Sequence, residues 1–212
     1  MRTIGLISFV LVSILTATQA SAGSIEVQVA PAWWQYREKS PQLSGFIATP
    51  FHSKSSGMGV AASIEGDFQL DDGQWLVQLS NTGLLSTGYA TEHWNLNPAS
   101  IQTNQLRIAQ NELRLTVNRK AFGVYTGLWA SYQWHRQKRK NFIANGVLQP
   151  IDRVHETVNT GWVGISLEST SAQGATIKLE GGLPVWTKVT NDLVPGTFHR
   201  RTGYRVGVHA RP

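Results

Sequence analysis

Residues 58–73 read MGVAASIEGDFQLDDG. Met58, Val60, Ala62, Ile64 and Phe68 fall on one parity, and Gly59, Ala61, Ser63, Glu65, Asp67 and Gln69 on the other. Successive side chains of a strand point to opposite faces, so this period of two describes a strand between two different environments. Asp71-Asp72-Gly73 then gives a hairpin signal, because Asp-Gly tolerates the positive φ of a tight turn. A strand with one greasy and one polar face, ended by a tight turn, is the unit from which the rest of the chain is read.

The same alternation recurs outward from this stretch. With 58–70 it marks eight predicted strands, the others being 24–38, 74–88, 105–118, 122–136, 154–169, 174–188 and 201–210. Most match the roughly nine to eleven residues with which a tilted strand crosses a bilayer. The connections alternate in length. Asp71-Asp72-Gly73, Asn118-Arg119-Lys120-Ala121 and Ser171-Ala172-Gln173-Gly174 are short, whereas the connections near 39–57, 89–104, 137–153 and 189–200 are long and polar. An even strand number with short turns at one end and long loops at the other predicts an all-β, eight-stranded antiparallel up-and-down transmembrane β-barrel over residues 23–212.

The beginning of the chain points to export. Arg2 precedes an apolar run from Ile4 to Thr16, and Ala20-Ser21-Ala22 supplies a small-x-small cleavage pattern, so residues 1–22 read as a signal peptide. The chain has 212 residues and a formal charge of +6. Without Arg2 and the rest of that segment, 190 residues and +5 remain. There is no cysteine, which excludes disulfides and thiolate metal sites. The basic balance suits anionic partners; export selects phosphate-bearing lipid over nucleic acid.

Alternation alone leaves two barrels open. In one, the apolar set faces hydrocarbon. In the other, a soluble periplasmic lipocalin-like barrel turns that set inward around a small apolar ligand. The fifth predicted strand sets Val124, Leu128, Ala130, Tyr132 and Trp134 against Gly123, Tyr125, Gly127, Ser131, Gln133 and His135. Aromatic residues gather near strand ends, with Phe68, Trp75 and Phe122 at the short turns and Trp33, Tyr132, Trp134 and Tyr204 toward the long loops. Two such girdles are expected at the two faces of a membrane. The polar set carries balanced charges at middle depth, Glu65, Asp67, Glu112, Arg114, Lys178, Glu180 and Arg205, expected to pair and fill a narrow, non-conducting lumen. These features favour lipid outside. Four residues break the pattern, Asn81 and Asn111 on the apolar parity and Leu76 and Leu84 on the polar one, which suggests bulges or a shifted register. Pro31 and Pro184 need positions without a ladder hydrogen bond.

The pattern over residues 23–212 resembles the small eight-stranded outer-membrane barrels of the OmpA and OmpX type, at the level of architecture. Members of that group commonly end on an aromatic residue recognised by the barrel-assembly machinery, whereas this chain ends Ala210-Arg211-Pro212. The resemblance implies the outer membrane of a Gram-negative envelope, with that machinery, membrane lipids and lipopolysaccharide as partners and a monomer favoured.

Candidate sites follow from charge. Arg136, Lys138, Arg139, Lys140, Lys188, Arg200 and Arg201 form a basic rim at the long-loop end, suited to the phosphates of lipopolysaccharide or simply to water. His93 lies near Glu92, His155 near Asp152 and Glu156, and His199 near Asp192, but no nucleophile motif accompanies them. A lipid A-modifying enzyme is therefore the lesser reading. No His-x-x-x-His spacing joins His135, His155 and His199, so neither a metal nor another cofactor is expected. The expected role is structural, lipopolysaccharide-contacting or adhesive through presented loops.

Overall fold

The computed structural model describes residues 3–4, 14–20, 23–40, 51–70, 73–94, 100–171, 175–192, 194–199 and 204–211. Seven long strands follow one another in the sheet: β1 (Gly23–Ser40), β2 (Phe51–Leu70), β3 (Trp75–Trp94), β4 (Ser100–Ala121), β5 (Val124–Ala144), β6 (Arg153–Thr170) and β7 (Thr176–Asn191). Each is antiparallel to the next. The far edge of β7 carries two shorter strands, β8 (Val194–His199) and β9 (Arg205–Arg211). Lys188↔His199 and Gly182↔Arg205 are six residues apart on both sides of the ladder, so β8 and β9 are stretches of one eighth strand in one register.

The strands outrun the sequence-based expectation. The segments near 89–104 and 137–153, expected as loops, are largely strand, with β3 reaching Trp94, β4 starting at Ser100 and β5 running to Ala144. Part of the segment near 189–200 is strand too, as β8. Residues 41–50, within the first long connection, lie outside the described residues. The reason is that ladder pairing needs backbone partners, not an apolar face. Glu92↔Gln102 and Lys138↔His155 extend the hairpins with polar side chains on both sides, a composition that reads as loop in one dimension.

The tight turns sit where positive φ is available. The turn expected at Asn118–Ala121 is instead at Phe122–Gly123, with φ of 52° and 80°. Two successive positive values make the mirror-image turn that matches strand twist, and Gly123 takes its share without steric cost. Asn145–Gly146 makes a second such turn, at 48° and 82°, and leads into the two-residue strand Val147–Leu148. Gly73 is also at positive φ, while Asp71 and Asp72 lie outside the described residues.

The eight antiparallel strands curl into a half-barrel, consistent with a small β-barrel architecture. Among the described residues β1 and β9 do not pair. The outer edge of β1 is occupied instead by Ile14–Ala20, antiparallel from Ile14↔Val29 to Ala20↔Gly23, with Thr3–Ile4 against Glu38 and Lys39. An edge whose N–H and C=O groups are already paired has nothing to offer another strand.

The apolar parity lies on the convex face. Met58 and Leu85 are 69% and 70% exposed, and Val60, Ile64, Leu128, Ile165, Ile177, Val206 and Val208 stand out beside them. The polar parity lies on the concave face. The four misfits keep their register, and no bulge falls near them. Asn81 and Asn111 satisfy each other on the convex side through two amide hydrogen bonds of 3.2 and 2.8 Å. Leu76 is buried near the short-turn end, and Leu84 joins a concave cluster with Trp34, Ala32, Ala61, Ala90, Leu106 and Ile108. Pro184 does sit at a bulge, where the β6–β7 register shifts before Trp186. Trp129 fills the concave space beside Gly164 and Gly182; a Cβ at either glycine would stand 2.4 Å from its ring.

Candidate functional site

The concave face holds two polar networks that reach between strands far apart in the sheet. Alternation on β4 turns Glu112 and Arg114 inward, and on β9 it turns Arg205 inward. Arg205 donates from both terminal nitrogens to Glu112 at 2.7 and 2.8 Å, although β5, β6 and β7 separate the two strands. Arg114 donates to the same carboxylate at 3.0 Å and to Glu180 on β7. Its guanidinium lies 4.4 Å from the Trp129 ring centroid, and that of Arg205 lies 5.4 Å from Trp162. Two carboxylates face two guanidiniums, a neutral cluster in which each charge has a hydrogen-bonding partner.

The second network centres on Gln78 of β3. Its amide nitrogen donates to Glu168 of β6 at 3.3 Å and to Glu65 at 3.5 Å, while its oxygen accepts from Lys178 of β7 at 2.9 Å. Asn118 donates to the same oxygen at 3.4 Å and accepts from Ser166 at 2.6 Å. Asp67 shares the concave parity. Six of the seven charges singled out from the sequence thus divide between two clusters, Glu112, Arg114, Glu180 and Arg205 in the first and Glu65 and Lys178 in the second, where they meet residues that were not singled out, Gln78, Asn118, Ser166 and Glu168. Their signal was present: Gly164, Ser166 and Glu168 alternate with Val163, Ile165 and Leu167 on β6.

Toward the long-strand end the concave face holds a third ion pair. Arg139 donates to Glu92, and both are largely buried. Arg139 therefore leaves the basic rim on which composition places it, because it has the opposite parity to Arg136, Lys138 and Lys140. Glu92 is engaged with it, and His93, the next residue, faces the other side of β3. His135 is also concave, with Gln110 at 3.2 Å and Gln137 at 3.0 Å from its two ring nitrogens.

The convex face above the apolar residues is basic. Lys138 stands directly opposite Arg107 on β4 and His155 on β6, and Lys140 opposite Arg153. Arg136 pairs with Ala109, one step along, and Lys188 lies farther out on β7 opposite Asn159. Arg107 and Arg153 join this face although the run 136–140 drew attention away from them. Arg200 and Arg201 lie outside the described residues. Beside the cations, in the same cross-strand rows, Met58, Val60, Leu85, Thr87 and Ala109 line an open groove of about 510 Å³ bordered by Arg107 and Arg136.

Among the sequence-selected aromatics, Trp33, Phe68, Trp75, Phe122, Tyr132 and Tyr204 are exposed and Trp134 is half-buried. Tyr132 stacks with Trp186 at a centroid distance of 6.3 Å. Arg119 lies over Trp75 near the Phe122–Gly123 turn.

Asp192 receives two hydrogen bonds from His155, from the backbone N–H at 3.0 Å and from Nδ1 at 2.9 Å. The backbone N–H, followed by the imidazole, holds the Asp192 carboxyl below the usual range. The pair is exposed and ties the end of β7 to the start of β6. Glu156 instead accepts from Asn191 at 3.0 Å, and Asp152 pairs with Arg153. Among the described residues no group of three His, Asp or Glu side chains is arranged to hold a metal ion.

Compared with known proteins, the chain matches no family model, no curated protein and no solved structure.

Proposed function

We propose that this chain is an exported β-barrel of a bacterial outer membrane, held in lipid by its convex face, with a charge-filled lumen and an envelope-supporting, lipopolysaccharide-contacting role. The observation that carries the reading is the inverted distribution of side chains. Among the described residues fifteen polar or charged side chains are buried against twelve apolar ones, while thirty-four large apolar side chains are exposed. A water-soluble protein rarely exposes a continuous apolar surface of this kind, whereas hydrocarbon demands it. A lipocalin-like protein needs Val60, Ile64, Leu128 and Ile177 around a ligand cavity; they lie on the opposite face.

Dimensions agree. The convex apolar stretch on β2 runs from Met58 to Phe68, eleven residues, which suits a tilted strand crossing a bilayer. Beyond Met58 the strand continues for seven residues to Phe51, projecting about 20 Å further with Lys54 and His52 on the convex side. The hairpins are thus long enough to present polar surface outside the membrane.

Residues 1–22 act in this reading as a signal peptide, and their removal has a structural consequence. Cleavage takes Ile14–Ala20 off the edge of β1, the edge that β9 must meet for the sheet to close. Closure then removes both free edges at once. The two concave networks already draw β3 and β4 toward β6, β7 and β9, so the polar interior is built before the seam is joined.

Fractionation of cells expressing the whole chain, combined with gel mobility before and after boiling, tests the proposal. A membrane-bound protein of 190 residues with heat-dependent mobility is expected. A soluble protein with unshifted mobility overturns it.

A further inference from the structure

The convex patch of Arg107, Arg136 and Lys138 gathers three cations and borders a groove of the opposite character. Arg107 and Lys138 are direct cross-strand neighbours, and Arg136 is two residues along β5 on the same face. Like charges directly opposite each other on a sheet are destabilising, with Cβ atoms about 5 Å apart. The next row repeats the arrangement with Lys140 opposite Arg153. Nearby carboxylates relieve it only in part: Asp192 acts on Arg136 through space, and each carboxylate is already engaged elsewhere. Asp192 is bonded to His155, Asp152 to Arg153 and Glu156 to Asn191. Among the described residues, Arg107, Arg136 and Lys138 make no salt bridge.

The adjoining groove, in the same cross-strand rows, has an apolar floor of Met58, Val60 and Leu85 and a cationic border of Arg107 and Arg136. Its volume, about 510 Å³, lies within the ~300–1,000 Å³ of small-molecule sites. A ligand that satisfies both parts has an anionic head spanning about 5–7 Å of cations and hydrocarbon continuing across the strands toward Leu85 and Val60.

We infer that this face is a binding site for a phosphomonoester-bearing glycolipid of the lipid A class, its phosphate held by Arg107, Arg136 and Lys138 and an acyl chain seated in the groove. The assignment rests on the membrane reading above, which sets this convex face, cations and groove together, in contact with lipid. Guanidinium pairs suit phosphate because their N–H groups match its oxygens two at a time. The otherwise repulsive row becomes favourable once a dianionic group sits across it.

The test uses the mature protein extracted from membranes in mild detergent and probed by native mass spectrometry. The probes are bisphosphorylated lipid A, the same lipid stripped of phosphate, and inorganic phosphate with an acidic peptide as competitors. Bisphosphorylated lipid is expected to bind at least tenfold more tightly than the stripped lipid. The triple variant Arg107→Gln, Arg136→Gln, Lys138→Gln is expected to lose that difference, while Lys54→Gln keeps it. Equal binding of the two lipids by the unaltered protein overturns the site without any variant being needed. So does displacement of the lipid by inorganic phosphate or by the acidic peptide, which would identify a free anion or a protein as the occupant. Heat-dependent mobility on the same samples separates the two failures. A shifted protein that ignores lipid phosphate refutes this site alone, and a soluble, unshifted one refutes the membrane assignment beneath it.

Discussion

Exchanging Glu112 for glutamine keeps the shape of the side chain and removes one charge from the middle of the concave face. Glu112 is 7% exposed and accepts two hydrogen bonds from Arg205, at 2.7 and 2.8 Å, and two from Arg114, at 3.0 and 3.3 Å. The glutamine oxygen can retain part of that geometry, but its NH₂ group would point toward a guanidinium. Two arginines would then share Glu180 as the nearest carboxylate. Removing one partner of a buried ion cluster costs about 3–5 kcal/mol, most of it from the charge left uncompensated. E112Q is therefore expected to lower unfolding stability by that amount, read as the urea midpoint of tryptophan fluorescence for protein folded in detergent micelles, with an unchanged m-value. The double variant E112Q/R205Q restores neutrality around Arg114 and Glu180 and is expected to recover more than half of the loss. The reasoning fails if E112Q lies within about 0.5 kcal/mol of the parent, or if the effects of the two substitutions simply add.

Packing, pH and the β1 edge supply further tests. Gly182→Ala sets a Cβ 2.4 Å from the Trp129 ring and should destabilise by about 1–3 kcal/mol, whereas Gly181→Ala, whose Cβ meets nothing closer than 4.0 Å, should cost clearly less in the same urea titration. Gly146→Val forces a β-branched residue to φ of 82° and should loosen the hairpin tip, seen as faster limited proteolysis after Asn145 with the core transition unmoved. Asp192 has a depressed folded-state value, so its stabilisation is present above the unfolded carboxyl value, near 4, and is lost as pH falls through the lower folded one. Hydrogen exchange at the His155 amide, corrected for intrinsic rate, should accelerate over that acidic window and lose its pH response in D192N. A cysteine at Val27, tested against single cysteines from 204 to 208, should form a disulfide only in chains lacking residues 1–22; crosslinking at equal yield with the segment present would refute its role in blocking closure.

Strand number, strand order and the identity of the two faces were legible in the chain because each depends on short-range information. Period-two alternation over Met58–Phe68 or Leu128–Trp134 is set by pleat geometry, and the structure turns those residues outward together. Strand ends were less legible. The polar pairs Glu92↔Gln102 and Lys138↔His155 extend the ladder without any apolar pattern, and Phe122–Gly123 displaces a turn that composition places at Asn118–Ala121. The Asn-Gly pair at 145–146 was a readable turn signal that the expected long loop obscured.

Three matters belonged to the folded chain alone. Glu112 meets Arg205 across three intervening strands, and Gln78 joins Glu65, Lys178 and Glu168, because sheet curvature brings together residues whose numbers say nothing about distance. Arg139 turns inward to Glu92 while Lys138 and Lys140 turn outward, since a single step along a strand reverses direction and so divides one basic run between two environments. Local pattern makes the edge of β1 ready to pair, but only the three-dimensional arrangement shows that, among the described residues, Ile14–Ala20 rather than β9 holds it.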